Sequence, residues 1–217
     1  MAKSLFIVIE GLDGAGSTTQ AGLLRSWFAA RGVPAHLTWE PTGGPVGSLL
    51  RLILAGRVVN LPREGAAPAP DEAILALLFA ADRLDHLDNQ VVPYLNDGIH
   101  VISDRYYLSS LAYQTIDQGL DLAWVRHLNA RCRRPDLTIY LDVPPAECQR
   151  RMEVQGRHLE LYEELAKLEQ VHRNYLSVIG ILTQEGENIR IVDGGLPVEE
   201  VAALVSRAVA DLLKSVH

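Results

Sequence analysis

The sequence predicts an α/β fold, a five-stranded parallel sheet flanked by helices. Three observations predict it. Short β-branched runs alternate with longer stretches of helical periodicity along the chain. The first of those runs passes directly into a glycine-rich turn and then a helix. A length of 217 residues with 48% hydrophobic content suffices for one large core, so a single domain over 1–217 is expected.

In chain order the strands are LFIVIE (5–10), PAHLTW (34–39), HVISD (100–104), LTIYLDV (137–143) and IRIVD (189–193). All are short and carry Val, Ile, Leu or Thr, as strands of a covered parallel sheet do. Helical periodicity occupies 18–31, 46–56, 71–95, 105–131, 145–155, 160–185 and 197–215. The stretch 57–70, rich in Pro, Ala and Gly, reads as a surface loop ending at Asp71, a good N-cap for the helix that follows.

With 20 basic residues against 27 acidic ones, the net charge of -7 gives no general footprint for nucleic acid or an anionic membrane. Any polyanion must therefore be held by a local site. Only Lys3, Lys167 and Lys214 are lysines, so arginine supplies most of the positive charge. Cys132 and Cys148 form no CxxC pair and suggest a reducing compartment. The first apolar run is too short for a signal peptide and no stretch reaches membrane-spanning length, so a cytoplasmic protein is expected.

The turn after the first strand, GLDGAGSTTQ, has the spacing of the phosphate-binding loop GxxxxGK[ST], with Gly11 and Gly16 as its glycines and Ser17 at the lysine position. Gly11, Asp13, Gly14, Ala15, Gly16, Ser17, Thr18 and Thr19 are the candidate ATP-phosphate contacts. Glycines let the backbone turn its N–H groups inward around phosphate oxygens, and the next helix adds its positive N-terminal end. Thr18 is placed to ligate Mg²⁺, unless it merely caps the helix; Asp13 could hold the metal's waters or a substrate hydroxyl. Losing one preorganised donor typically costs about 3–4 kcal/mol in a transition state. Either another cation replaces the missing lysine, or turnover is slow, or the protein only binds nucleotide.

Three further segments fall at the carboxyl ends of strands, where an α/β sheet builds its sites. EPTGGPVGSLLR places Glu40 and Pro41 at a strand end and Arg51 in the next helix, where it is either a phosphate contact or an exposed arginine. LFAADR puts Phe79 and Arg83 at i and i+4 on one helical face, suited to stacking on a planar base and donating to its carbonyl edge, or equally to core packing and a salt bridge. DRYYLSSLAYQ ends a strand on Asp104 and Arg105, a metal and phosphate pair, although Asp104 could instead cap a helix. Arg150, Arg151 and Arg157 cluster in a lid segment around 149–163 that could close over the donor phosphates, or form a solvated face.

Taken together, FIVIEGLDGAGSTTQ, EPTGGPVGSLLR, LFAADR, DRYYLSSLAYQ and PDLTIYLDVPPAECQRR resemble the phosphate loop and signature segments of the thymidylate kinase family, in order and over most of the chain. The resemblance implies the P-loop nucleoside-monophosphate-kinase fold and a homodimer using ATP and Mg²⁺ to phosphorylate dTMP. It places Phe79 on thymine, Arg83 at the thymine carbonyl edge and Tyr113 under the deoxyribose. Ser110 and Gln114 become polar neighbours of base and sugar, Arg51 and Arg105 grip the acceptor phosphate, and Asp13 and Asp104 serve the metal and the sugar hydroxyl. The catalytic set is then Asp13, Arg105, Arg150, Arg151 and Arg157. Ser17 and a lid reading GRHLELYEEL without a DRxE element depart from the family pattern. Kinases of other nucleoside monophosphates or deoxynucleosides, and a nucleotide-binding protein with impaired catalysis, are the rival readings.

Overall fold

Five strands, β1 (Phe6–Gly11), β2 (Ala35–Trp39), β3 (His100–Asp104), β4 (Leu137–Asp142) and β5 (Ile189–Asp193), pair in parallel in the order β2-β3-β1-β4-β5. The structure is a computed structural model that describes residues 4–57, 71–116, 120–154 and 161–215. Residues 58–70 of the expected surface loop, and Arg157 with the middle of the expected lid, lie outside the described residues. Every strand falls within one residue of its expected bounds. β1 is the central strand and its Phe6, Ile7 and Ile9 are fully buried, which is why its sequence is apolar without alternation. Strand order reverses at β1, so a crevice opens at the carboxyl ends of β1 and its neighbours. Register brings Ile9 beside Asp104 and Gly11 beside Leu141 there.

The helices are α1 (Ser17–Ala29), α2 (Pro45–Leu54), α3 (Glu72–His86), α4 (Val92–Asn96), α5 (Tyr107–Tyr113), α6 (Leu122–Leu128), α7 (Pro145–Val154), α8 (Leu161–Gln184) and α9 (Val198–Ser215). α1 packs on β1, β2 and β3 and against α9, which reaches β4 and β5; α5 meets β1 and packs with α8, α3 and α6. Asp71 caps α3 as expected, its side chain accepting from the Ala73 amide at 2.8 Å. No helix among the described residues is long and apolar enough to cross a membrane. Cys132 and Cys148 are free thiols.

Two expected helices are divided. The one expected over 71–95 changes at Leu87–Val91 to a π turn before α4 begins. Pro93 has no N–H to donate back to Asn89, so the regular ladder loses a bond there. The one expected over 105–131 is two short helices. Arg105 has φ +72 and Tyr106 is extended, so α5 starts only at Tyr107; Asp121 caps a new helix by accepting from the Ala123 amide. Asp104 is therefore not a helix cap.

The turn after β2 is fastened to α3 by a buried carboxylate. Thr42 donates its amide and its hydroxyl to Asp82, at 2.8 and 2.6 Å, and Asp82 is 1% exposed. Gly47 of α2 lies directly over that junction, where a Cβ would stand 2.6 Å from the Thr42 nitrogen and 2.7 Å from an Asp82 oxygen. Gly47→Ala should consequently force the turn away from Asp82 and cost about 1–3 kcal/mol. A chemical-denaturation comparison with the parent chain measures this.

Candidate active site

The loop between β1 and α1 is shaped by two glycines for different reasons. Gly14 and Gly16 have φ of +85 and +95, a region costly for any residue with a Cβ. At Gly14 the added atom would also stand 2.5 Å from the Cys148 carbonyl oxygen, whereas at Gly16 nothing lies within 4 Å and conformation alone requires glycine. The Ala15 amide closes the turn on the Leu12 carbonyl at 3.0 Å. Gly16 gives α1 no side-chain cap, and its first turn has no acidic residue, so the first amides of the helix keep their affinity for an anion. Ser17 is buried at the start of α1, and Thr18 and Thr19 are exposed beside it.

Across the crevice, Asp104 ends β3. Thr18 Oγ1 donates to Asp104 Oδ2, while Asp104 Oδ1 is buried with no hydrogen-bond partner. Arg105 follows in a left-handed conformation that non-glycine residues seldom adopt. Surrounding bonds over-determine it. Its amide donates to Ile9 O at 2.9 Å and its carbonyl accepts from Ser103 Oγ at 2.7 Å. Its guanidinium donates to Asp13 Oδ1 at 2.8 Å and Ser109 Oγ at 3.0 Å. Tyr113 completes the junction, its hydroxyl accepting from the Asp13 amide at 3.1 Å and donating to Asp13 Oδ2 at 3.3 Å.

Under this junction sits Glu10, fully buried at the end of β1. It accepts from the amides of Tyr106 and Ser109, at 2.8 and 3.2 Å, from Ser109 Oγ at 2.6 Å and from Tyr175 Oη at 3.1 Å. Burial pushes its pKa up from 4.5 to about 7, against the opposing pull of Arg105 and of these donors.

A cleft of about 320 Å³ runs from Asp13 and Arg105 past Ser109, Tyr113 and Gln114 to Phe79, Arg83, Glu40 and Pro41. Ser110 lines it as well, with Leu54, Leu75 and Ile116 as apolar wall and Lys167 beside them. Arg83 is 1% exposed and its fork is largely engaged: Nε and Nη2 reach Glu40 at 2.9 and 2.7 Å, Nη2 reaches Ser110 Oγ at 3.1 Å, and Nη1 reaches Asn129 Oδ1 at 2.5 Å. Glu40 also pairs with His86 Nδ1 at 3.0 Å. A buried ion pair of this kind needs hydrogen bonds to offset its lost hydration, and here they engage all of the Arg83 fork but one Nη1 hydrogen. Phe79 is half-buried, and Gln114 is buried with Oε1 lacking a partner.

Eight acceptor-side candidates, Glu40, Pro41, Phe79, Arg83, Arg105, Ser110, Tyr113 and Gln114, thus share one cleft with Asp13. Arg51 is not among the lining residues. It is exposed and donates to the Pro41 carbonyl at 2.7 Å and to Ser48 Oγ at 3.3 Å. On α7, Arg150 forks onto Glu147 at 2.7 and 2.8 Å. Arg151 bonds Glu147 at 2.8 Å and braces two carbonyls, Ala15 of the loop at 3.3 Å and Gly194 at 3.2 Å. Sequence reasoning passed over Glu10, Asp82 and Asn129, and named Lys167 only as one of three lysines, without a place in the cleft. A lone acid closing the apolar run LFIVIE was a usable signal for Glu10; Asn129 and Lys167 enter only through tertiary packing.

The family model described as Thymidylate kinase matches residues 9–205 of the chain. The chain is 43% identical over 200 residues to "Probable thymidylate kinase" of Thermococcus onnurineus, covering 91% of this chain and 93% of the relative. It is 40% identical over 200 residues to the protein of the same name from Pyrococcus horikoshii, covering 92% of each. With that of Pyrobaculum calidifontis it shares 37% identity over 213 residues, 96% of this chain and 99% of the relative.

Glu10 makes stability depend on pH in a stated direction. Its folded pKa lies above the unfolded value, so its contribution is fully present below about 4.5 and is lost as pH rises through about 7. Glu10→Gln keeps one acceptor oxygen for the Tyr106 and Ser109 amides, presents an NH₂ to the Ser109 and Tyr175 hydroxyls, and removes the titration. The unfolding free energy of the parent relative to Glu10→Gln should fall by roughly 3 kcal/mol between pH 4.5 and 8. Urea melts at both pH values measure it.

Proposed function

The chain belongs to the thymidylate kinase family, and from that premise we propose that it transfers the γ-phosphoryl group of ATP to dTMP, giving dTDP and ADP. The observation that carries this reading is the continuous cleft from the Asp13–Arg105 pair to Phe79. It offers a cation for a phosphate at one end and an aromatic plane for a base at the other. Phosphoryl transfer asks a protein chiefly for positioning and charge, and both are built into this arrangement.

The acceptor is held as follows. Phe79 stacks on thymine, and the one Nη1 hydrogen of Arg83 not directed to Asn129 serves the carbonyl edge. Gln114 Oε1, buried and without a partner, accepts from the ring N–H. A buried acceptor left unpaired is unfavourable, so the right base is selected by satisfying it. Tyr113 lies under the sugar and fixes Asp13; Arg105 grips the acceptor phosphate. Arg51 reaches that phosphate only by leaving the Pro41 carbonyl.

On the donor side the loop amides of 11–19 and the start of α1 hold the triphosphate. The residues fit a magnesium ion. Thr18 and Asp104 are already paired, and Asp104 Oδ1 is a buried acceptor with nothing to accept from, which a metal-bound water would satisfy. Thr18, Asp104 and Asp13 would hold it, and Mg²⁺ when bound neutralises charge on the β- and γ-phosphate oxygens. Segment 149–163 is the lid, with Arg151 steadying the loop from behind. Two unpaired thiols fit a cytoplasmic setting.

We also propose a homodimer through α2 and α3, which pack together. Leu49 and Leu52 on one, and Ile74 and Leu77 on the other, are 40–50% exposed at i, i+3 spacing.

Purified protein should form dTDP from dTMP with ATP and Mg²⁺. Turnover of dUMP or dGMP in place of dTMP would replace the acceptor, and tight binding of both nucleotides without product would select the impaired binding protein. Phe79→Ala should raise KM for dTMP about tenfold, the equivalent of ~1.4 kcal/mol of stacking. Sedimentation should show a dimer that Leu52→Glu together with Leu77→Glu converts to monomer.

A further inference from the structure

Ser17 leaves the phosphate loop without its usual cation; of the lid arginines expected to replace it, Arg150 and Arg151 are engaged elsewhere and Arg157 lies outside the described residues. Arg151 is spent on Glu147 and on the carbonyls of Ala15 and Gly194. Carbonyls of a phosphate loop point away from the cradle formed by its amides, so Arg151 stands behind the loop. Arg150 is exposed and forked onto Glu147. Arg105, bonded to Asp13 and Ser109, is committed by the functional reading to the acceptor phosphate.

Lys167 is differently placed. It lines the acceptor cleft together with Asp13, Arg105, Tyr113, Gln114 and Ile116. It is exposed and makes no hydrogen bond or ion pair with any described residue. Its helix is seated without it. Leu168 and Val171 are buried, Asn174 Nδ2 donates to Ala112 O at 2.7 Å and Thr115 Oγ1 at 2.9 Å, and Tyr175 Oη reaches Glu10. Asn174 stands seven residues on from Lys167, two turns along the same face, so the face that carries Lys167 is the one fixed to α5. Of the other lysines, Lys214 pairs with Asp211 at the end of α9, and Lys3 lies outside the described residues.

We propose that Lys167 supplies, at the phosphoryl group in transfer, the positive charge that Ser17 leaves out of the loop. The proposal rests on the reading of the chain as a dTMP kinase. In the transfer, an oxygen of the acceptor phosphate bonds to the γ-phosphorus as the bond from that phosphorus to the β,γ-bridging oxygen breaks. The electron pair leaves on the β-phosphate of ADP, and from a dianionic acceptor no proton moves. Charge spreads over the oxygens around the transferring phosphorus, and an ammonium on a long stem at the edge of the cleft meets it there from the acceptor side.

The test compares single-turnover rates with dTMP, ATP and Mg²⁺ for the parent chain, Lys167→Met, Lys167→Arg and Lys167→Met with Ser17→Lys. Lys167→Met should lower the rate about 10²–10³-fold, with the dTMP dissociation constant and the melting temperature little changed. Lys167→Arg should retain most of the rate, and Ser17→Lys should restore activity to Lys167→Met. A merely structural Lys167 would shift melting and binding instead, and would not be rescued from the loop. An active parent with Lys167→Met at its full rate overturns this proposal alone; a parent that makes no dTDP overturns the functional reading beneath it.

Discussion

The carboxyl group of Glu10, buried where the central strand ends, ties the two halves of the site together. It accepts the amides of Tyr106 and Ser109, and so holds the turn after β3 in a form that returns Arg105 over the phosphate loop. Without that anchor the left-handed Arg105 would relax, since its backbone strain is sustained only by surrounding bonds. The same carboxyl binds Tyr175 of α8, which carries the third wall of the cleft. One acid therefore sets the spacing between the end of β1, the turn that carries Arg105 and α8. Burial is opposed to its charge and outweighs Arg105 and the donors around it, so its pKa is pushed up to about 7.

The sheet was legible because its signal is local. A covered parallel strand is apolar along its length, as LFIVIE and LTIYLDV show, and the partly exposed outer runs PAHLTW and IRIVD remain recognisable as short β-rich segments between helical stretches. The loop was legible for a related reason, as its glycines answer to backbone conformation at Gly14 and Gly16. Helix lengths were less legible. Continuous periodicity over 105–131 concealed a break, because the residues that end one helix and cap the next, such as Asp121, are compatible with either state until tertiary contacts decide.

Side-chain roles divided along the same line. Phe79 reaches the cleft as its spacing suggested, because a helical face fixes direction, and Tyr113 and Gln114 line it as the family resemblance implied. Arg83 also reaches it, but most of its fork is turned to Glu40, Asn129 and Ser110, partners that lie 43, 46 and 27 residues away in sequence. Arg51 spacing said nothing of the Pro41 carbonyl that holds it outside. An arginine's charge can be read from a sequence, whereas the acceptor that claims it belongs to the folded packing.

A phosphate loop without a lysine is physically coherent when its other parts are fixed more firmly. Here Gly14 is pressed against the Cys148 carbonyl, Arg151 braces Ala15, and Thr18 is tied to Asp104, so the amide cradle holds its shape without a lysine spanning it. A loop lysine serves both binding and transition-state charge from one fixed place. With the cradle rigid and uncapped, binding rests on amides and the helix end, and only the charge at the transferring phosphorus remains to be met. A cation carried on α8 at the edge of the acceptor cleft meets that need from the acceptor side.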